Sequence, residues 1–421
     1  MPAAANKTAP LIRERALLVT LAAIQFTHFL DFMIMMPLGP QFMRAFSITP
    51  TQFGFLVSSY SFSAGVFALA AGFFMDRFDR KRALLILYSG FALGTLCCAL
   101  APNYFTLLLA RMVAGGFGGV AGSVVYAIVG DVIPLARRGR AMGVIMTSFS
   151  MASILGVPAG LMLASTLGWH APFFLLTVVS LGILLSAYRI LPSLPVHIHA
   201  NAHAAWARMR AILTHPNHHR AFTLVLVMTA SGSLIYPFLS PSMVTNAHLP
   251  EASLPWLYIW GGAATFLSSQ IFGHLTDRFG RLRMFTVISL VSIIPTLVVT
   301  RLGPVPVWAV FITTTLYMVF TSGRLVPSMS MVTASVEGRL RGGFMSVNSA
   351  VQQIAAGLAT SGASLMVSRD HQGRIAGYAG VGLLSAGLVI TGVFLARRLR
   401  VAEPEPTTVM PPPKPDAAAV G

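Results

Sequence analysis

The sequence predicts an all-α membrane protein with twelve transmembrane helices in two pseudo-symmetric six-helix bundles. Of the 421 residues, 55% are hydrophobic and 10% are charged, whereas a soluble domain carries roughly 25% Asp, Glu, Lys and Arg. Twelve apolar segments approach the length of about 20 residues that a spanning helix needs, and one loop motif occurs twice at equivalent positions. The composition excludes a soluble globular protein.

The predicted spans, numbered 1 to 12 in chain order, lie six on each side of a polar segment. They cover residues 16–38, 52–75, 83–101, 104–130, 141–164, 170–191, 221–240, 253–275, 284–300, 305–331, 343–367 and 376–396. The expected domains are an N-tail at 1–15, a first bundle at 16–191, a His-rich linker at 192–220, a second bundle at 221–396 and a disordered tail at 397–421.

The basic residues predict the orientation of the spans, because Lys and Arg are retained in cytoplasmic loops. With the N-terminus inside, 23 of the 29 Lys and Arg residues lie in cytoplasmic segments and 4 lie outside. A missed or extra span would reverse every later loop and destroy this asymmetry. We therefore expect both termini and the linker in the cytoplasm, and we interpret the net charge of +17 as membrane topology rather than nucleic-acid binding.

One loop motif follows both span 2 and span 8. Its first copy contains Gly72, Asp76, Arg77 and Arg80, and its second copy contains Gly273, Asp277, Arg278, Gly280 and Arg281. Shared positions are separated by 201 residues. This constant offset indicates that the two halves of the chain have the same origin.

The motif G-x-x-x-D-R-x-G-R-[KR] resembles the signature loop of the major facilitator superfamily, and the resemblance extends over residues 16–400. The run from Arg111 to Gly119 in span 4, and Gly156, Pro158 and Gly160 in span 5, are similar to the antiporter signatures of that family. The nearest subgroup is the bacterial drug:proton antiporters and predicted sugar (arabinose)-efflux permeases. The resemblance implies alternating access, export of a small molecule against protons, and a bacterial inner-membrane location.

The resemblance and the residue types predict roles for the motif loops and for span 5. Glycines 72 and 273 permit close helix contact, the motif aspartates suit helix N-termini, and the arginines can reach across the gap between the halves. The motif is thus expected to act as a gating latch, the alternative being a purely topological anchor.

Asp79 stands where the family has glycine, and we expect it to strain the turn or alter the pairing of the loop. Gly156, Pro158 and Gly160 are expected to form a hinge.

A single acidic residue, Asp31, lies inside a predicted span, and an intramembrane carboxylate indicates function. At 1.5 Å per residue, Asp31 in span 1 and Arg111 in span 4 both lie about 10 Å from the outer edge. We expect these two residues to pair, with protonation of Asp31 breaking the pair. His28, one turn from Asp31, is a candidate proton relay, although a lone histidine on a packed helix is more often structural.

Arg324 in span 10 has no predicted acidic neighbour at its depth. Asn348, Gln352 and Gln353 in span 11 are expected to solvate its guanidinium. Alternatively, Arg324 receives an anionic or polar group of the substrate, or extends to the cytoplasmic surface. Gln25 and Tyr236 are further candidate residues of the substrate cavity.

The predicted function is proton-coupled efflux of a drug, sugar or metabolite. The alternatives are an uptake symporter or uniporter for a sugar or organic acid, and a transport-dead receptor whose His-rich linker binds a metal or partner. An enzyme is not expected, because the spans hold neither a nucleophile with its base nor a metal-binding set. The expected partners are a small-molecule substrate, protons and the lipid bilayer, with no cofactor, metal or nucleic acid, and the chain is expected to be a monomer.

Overall fold

The computed structural model of the chain describes residues 8–74, 78–192, 209–337 and 340–400. These residues form twelve long helical spans, which confirms the predicted fold class. The predicted linker and C-terminal tail lie largely outside the described residues. Residues 209–214 of the predicted linker are helical, span 7 already begins at Pro216, and the last span ends at Arg397.

Six spans make up the N-terminal half. Span 1 is Thr8–Ile34, span 2 is Pro50–Phe74, span 3 is Arg80–Ala99, span 4 is Tyr104–Val132, span 5 is Leu135–Met151 with Val157–Leu167, and span 6 is His170–Ile190. A short helix, Gly39–Ala45, lies between spans 1 and 2. The two parts of span 5 are joined by a π-helical turn at Ala152–Gly156.

The C-terminal half repeats this arrangement. Span 7 is Pro216–Ser233 with Tyr236–Thr245, span 8 is Leu254–Phe279, span 9 is Arg281–Val299, span 10 is Val307–Gly323 with Leu325–Ala334, span 11 is Arg341–Met366, and span 12 is Tyr378–Arg397. A 3-10 turn, Glu251–Ser253, precedes span 8. Strand β1 (Ser368–Arg369) pairs antiparallel with β2 (Ile375–Ala376) in the loop between spans 11 and 12.

Ten of the spans are long and apolar enough to cross a membrane, judged by length and composition. The exceptions are spans 8 and 11, which are each 26 residues long. Span 11 carries Asn348, Gln352 and Gln353 in its central part, and these polar residues lower its mean hydropathy. Both exceptions contact the other half, span 11 on span 2 and span 8 on span 5.

The two ends of the molecule differ in how the halves are joined. We call the end with Gly39–Ala45 and the β1–β2 loop the short-helix end, and the opposite end, next to the linker, the linker end. At the short-helix end one apolar cluster contains residues of both halves, including Phe53 and Phe238. Toward the linker end the interior divides into one cluster within the N-terminal half and another within the C-terminal half.

Polar contacts also join the halves at the short-helix end. Arg44 and Glu251 form a two-pronged ion pair across the halves. The hydroxyl of Ser361 donates to the hydroxyl of Ser58 over 2.9 Å, where span 11 packs on span 2. The halves therefore meet closely at this end, while each half keeps its own core at the other.

Candidate functional site

Asp31 and Arg111 form a buried ion pair in the N-terminal half. Asp31 lies in the last turn of span 1 and Arg111 near the start of span 4, and both residues are 0% exposed. Arg111 Nη1 donates to Asp31 Oδ2 over 2.7 Å and to the Asp31 carbonyl oxygen over 3.3 Å. The hydroxyl of Thr95 donates to Asp31 Oδ1 over 3.3 Å. The structure thus brings together the two charged residues that were matched by depth.

Tyr60 of span 2 completes this group. The guanidinium carbon of Arg111 lies 4.3 Å from the centroid of the Tyr60 ring, a distance suited to a cation–π interaction. The Tyr60 hydroxyl is hydrogen-bonded to His28 Nδ1 over 2.9 Å. Sequence reasoning missed Tyr60, because a helical sequence does not show which face of span 2 is turned toward span 4.

Glycines of span 4 allow span 2 to approach this closely. A Cβ at Gly115 would collide with the backbone of Tyr60, and a Cβ at Gly118 would lie 2.9 Å from both His28 Nδ1 and the Tyr60 hydroxyl. The glycine-rich sequence after Arg111 therefore provides the close packing that it indicated, and it sets the position of the Tyr60 ring beneath the guanidinium.

His28 is linked to Asp31 through other side chains. It is buried, and its Nδ1 is paired with Tyr60, which in turn lies under Arg111. A proton relay through His28 therefore runs by way of the Tyr60 hydroxyl, and this relay stays a prediction.

Gln25, three residues earlier on span 1, is 1% exposed and packs near Gly122. Its Oε1 has no hydrogen-bond partner among the described residues.

Arg324 lies in the C-terminal half, where span 10 is interrupted between Gly323 and Leu325. It is 2% exposed, so it does not extend to the surface. Its Nη2 donates to Ser231 Oγ of span 7 over 2.8 Å, and its Nε has no partner in the described part of the chain.

The predicted solvation of Arg324 by Asn348 and Gln352 is wrong. In the described residues neither of these side chains nor that of Gln353 is hydrogen-bonded to the guanidinium, and Asn348 Oδ1 is buried without a partner. Counting residues along a helix gives the depth of a side chain but not the direction in which it points. The hydroxyl of Ser231 in span 7, not a side-chain amide of span 11, accepts the hydrogen bond from Arg324. Tyr236 is partly exposed, and its ring centroid lies 5.4 Å from that of Tyr317.

The first copy of the repeated motif caps a helix. Asp79 has φ −56° and ψ 125°, and its carboxylate accepts a hydrogen bond from the backbone N–H of Arg82 over 2.8 Å, at the start of span 3. The expected strain at Asp79 is wrong, because this φ is ordinary for any L-residue. Arg80 Nε lies 3.4 Å from Asp131 Oδ2 of the same half. Gly72 lies in the helix of span 2, and Asp76 and Arg77 lie outside the described residues.

The second copy turns differently. Gly280 separates spans 8 and 9 with φ +89° and ψ 144°, a conformation that favours glycine. Gly273, Asp277 and Arg278 lie at the end of span 8, and Arg281 begins span 9. The close helix contact predicted at Gly273 is wrong, because a Cβ there would meet nothing within 4 Å among the described residues. Asp277 and Arg278 are exposed, and Asp277 forms no ion pair with any described residue. The gating latch stays a prediction.

The predicted hinge coincides with the π-helical turn of span 5. Gly156 is the last residue of that turn, and Pro158 lies in the first turn of the following helix. A Cβ at Gly156 would lie 2.9 Å from the Leu30 side chain, and one at Gly160 would lie 2.7 Å from Ile34 Cδ1. Span 5 therefore packs tightly on span 1 near Asp31, and whether it bends during function stays a prediction.

These observations define an integral membrane transporter built from two related six-span halves, with charged side chains buried between spans. A family profile described as Major Facilitator Superfamily matches residues 21–227 and again residues 221–419. The chain belongs to the Major Facilitator Superfamily.

Relatives and a solved structure agree with this assignment. The chain is 27% identical over 375 residues to the inner membrane transport protein YdhP of Escherichia coli O157:H7, covering 86% of this chain and 91% of that protein. It is 25% identical over 236 residues to a probable sugar efflux transporter of Helicobacter acinonychis (strain Sheeba), covering 56% and 59%. The crystal structure of a bacterial homolog to the human lysosomal transporter Spinster, inward-facing and unoccupied, superposes with a TM-score of 0.73 at 16% identity, covering 92% of this chain and 97% of that one.

Proposed function

We propose that this chain exports a small molecule across the bacterial inner membrane in exchange for protons, by alternating access between its two halves. The observation that carries this proposal is the fully buried Asp31–Arg111 pair. Intramembrane carboxylates are expensive and typically serve proton or ion pathways. Asp31 is also the single acidic residue inside a predicted span, so it is the natural proton acceptor.

The geometry supports a coupled mechanism. While Asp31 is charged, it holds Arg111 against the Tyr60 ring and fixes spans 1, 2 and 4 together. Protonation of Asp31 removes the charge attraction and leaves Arg111 with the ring alone, which loosens the three spans. If the Asp31–Arg111 contact is present in one conformation and absent in the other, protonation of Asp31 shifts the equilibrium between the two conformations.

The shared core at the short-helix end supports an inward-facing conformation of this structure. On the proposed orientation the linker end is cytoplasmic and the short-helix end is external, so the halves are closed outside and have separate cores inside.

The direction of export rests on the relatives. The Helicobacter protein is named a probable sugar efflux transporter, and we extend the efflux direction to this chain. Uptake by a symporter or uniporter predicts the opposite or no dependence on an imposed pH gradient, so the same assay separates these functions.

The test of proton coupling is Asp31→Asn in inside-out membrane vesicles with an acidic lumen. Accumulated solutes from a defined mixture of sugars, sugar acids and lipophilic cations are measured by mass spectrometry, with and without a protonophore. We expect Asp31→Asn to reduce gradient-driven accumulation by about tenfold or more while substrate exchange at equilibrium persists, because the neutral amide cannot take up a proton. Asp370→Asn, the same substitution at an exposed residue of the loop between spans 11 and 12, is the control and should retain accumulation. Full gradient-driven accumulation by the Asp31→Asn variant would refute the coupling role.

A further inference from the structure

Arg324 is a buried cation without an acidic partner. The acid inside the predicted spans, Asp31, is paired with Arg111 in the other half. Within the described residues, Arg324 forms no ion pair, and its neutral partner is the Ser231 hydroxyl. A buried guanidinium without a counter-charge is strongly unfavourable. Its presence indicates that another anion neutralises it during the working cycle.

Unsatisfied polar groups lie in the same part of the C-terminal half as this guanidinium. The Tyr317 hydroxyl and Thr321 Oγ1 are buried and have no hydrogen-bond partner among the described residues, as is also true of Arg324 Nε. Tyr236, whose ring centroid lies 5.4 Å from that of Tyr317, is partly exposed. Hydroxyl and guanidinium N–H donors of this kind are the partners that a carboxylate requires.

The helix interruptions lie at the same place. Span 7 breaks between Ser233 and Tyr236, span 10 breaks at Arg324, and Nη2 of Arg324 joins the two breaks through Ser231. Arg324 is the N-cap residue of the helix Leu325–Ala334, which has no side-chain cap, and the positive end of its dipole adds to the attraction for an anion.

Gly232 leaves room beside the guanidinium. A Cβ built at Gly232 would lie 3.9 Å from Arg324 Nη2, 3.8 Å from Thr321 Cγ2 and 4.0 Å from Tyr236 Cδ2, all ordinary contact distances. The offset of 201 residues that relates the two motif loops makes Gly232 of the second half the equivalent of Asp31 in the first half. In the second half, Arg324 therefore lies beside the position equivalent to Asp31, and that position holds Gly232 in place of a carboxylate.

We propose that Arg324, with Tyr317 and Thr321, receives the carboxylate of the transported molecule, so that the substrate is a small organic monocarboxylate. One guanidinium neutralises a single negative charge, which favours a carboxylate over a phosphate. The site itself rests on the unpaired cation, and only the statement that its ligand is the transported molecule rests on the proposed export function.

The first experiment supplies the missing anion from the chain itself. Gly232→Asp is compared with Gly232→Asn by the melting temperature of the purified protein, in the wild-type background and in the Arg324→Met background. We expect Gly232→Asp to raise the melting temperature where Arg324 is present and to lower it in the Arg324→Met background, while the neutral Gly232→Asn shows no such reversal. A lower melting temperature or loss of folding with Gly232→Asp in both backgrounds, with the Gly232→Asn variant folded, would overturn the proposal.

The second experiment identifies the ligand class in inside-out vesicles. The probes are matched acid and neutral pairs, namely gluconate with glucose, galacturonate with galactose, and lactate with glycerol. We expect enrichment of acid members by about tenfold or more over their neutral partners, because a buried polar site rejects a ligand that leaves it unpaired. This enrichment should be lost in Arg324→Met and in Gly232→Asp and reduced in Arg324→Lys. Enrichment of the neutral members, unchanged by Arg324→Met, would overturn the assignment.

The Asp31→Asn variant separates this proposal from proton coupling. If coupling fails but the anion site is real, Asp31→Asn retains gradient-driven accumulation and Arg324→Met still loses the acid members. If coupling is real but the anion site is not, Asp31→Asn loses accumulation and Arg324→Met leaves the pattern of enriched solutes unchanged.

Discussion

The difference between the two buried arginines that matters for stability is that Arg111 has a carboxylate partner and Arg324 does not. Both are almost wholly inaccessible, at 0% and 2% exposure. Removing one member of a buried pair leaves the other as an uncompensated charge, whereas removing a lone buried charge relieves a cost. The same substitution is therefore expected to have opposite effects on stability at the two positions.

Arg111→Met should lower the free energy of unfolding by about 3–5 kcal/mol, because Asp31 is then buried alone. The double variant Asp31→Asn with Arg111→Met should recover most of that loss, since neither charge remains. Thermal unfolding in detergent measures both, and Arg324→Met serves as the matched control in which no pair is broken. Additive effects of the two single substitutions would mean that the residues do not stabilise each other.

The chemistry of this site was predictable as far as helix geometry allows. A rise of 1.5 Å per residue gave the depths of Asp31 and Arg111 and hence their pairing. The same calculation misplaced Asn348 and Gln352, and it gave no indication of Tyr60. Depth follows from chain position, but which face of a span is turned inward depends on packing with its neighbours. Hydropathy is nearly uniform around span 2, so nothing in the sequence indicates the inward position of Tyr60.

At the scale of the element, the two motif copies begin the following span in different ways. Asp79 starts span 3 with a side-chain cap at a negative φ, and Gly280 starts span 9 at φ +89° without one. The departure from the family pattern at Asp79 is thus a different local solution to the same turn. A sequence pattern shows that a residue differs, but only the backbone angles show that the difference carries no strain.

The two positions should not tolerate exchange equally. Asp79→Gly removes a cap and is expected to cost less than about 1 kcal/mol, whereas Gly280→Asp forces a side chain into a conformation reserved for glycine and is expected to cost about 2 kcal/mol. Thermal unfolding of the two variants, with Gly273→Ala as a control at a position where a Cβ would meet nothing within 4 Å, measures the difference. Equal losses at the two positions would contradict this account.

At the scale of the whole molecule, the close contact between the halves depends on small residues. A Cβ at Gly54 of span 2 would collide with Ser364 and would lie 3.0 Å from Phe238 Cζ, both in the C-terminal half. The Arg44–Glu251 ion pair lies at the same end, and its hydrogen bond to the carboxylate raises the pKa of Arg44, so that the guanidinium stays charged. This exposed pair contributes at most about 1 kcal/mol, and the shared core provides most of the closure.

Gly54→Val should therefore open the short-helix end, while Gly362→Val, where a Cβ would meet nothing within 4 Å, should not. The measurement is the labelling rate of Ser58→Cys, at a position that is 2% exposed and faces Ser361, with both native cysteines replaced by alanine. We expect labelling by a polar thiol reagent to accelerate about tenfold or more with Gly54→Val, because a shift of about 1.4 kcal/mol in the closed–open equilibrium changes the open population tenfold. Unchanged labelling in the Gly54→Val variant would show that this end is not held by close helix contact.

The unequal charges of the two halves have a consequence for how such a chain diversifies. A duplicated bundle begins with the same residues on both sides, yet here equivalent positions carry Asp31 in one copy and Gly232 in the other. On the roles proposed for Arg324 and Asp31, substitutions around Arg324 would change which substrate is bound without altering the Asp31–Arg111 salt bridge. Substrate selection and proton coupling would then evolve independently within one chain.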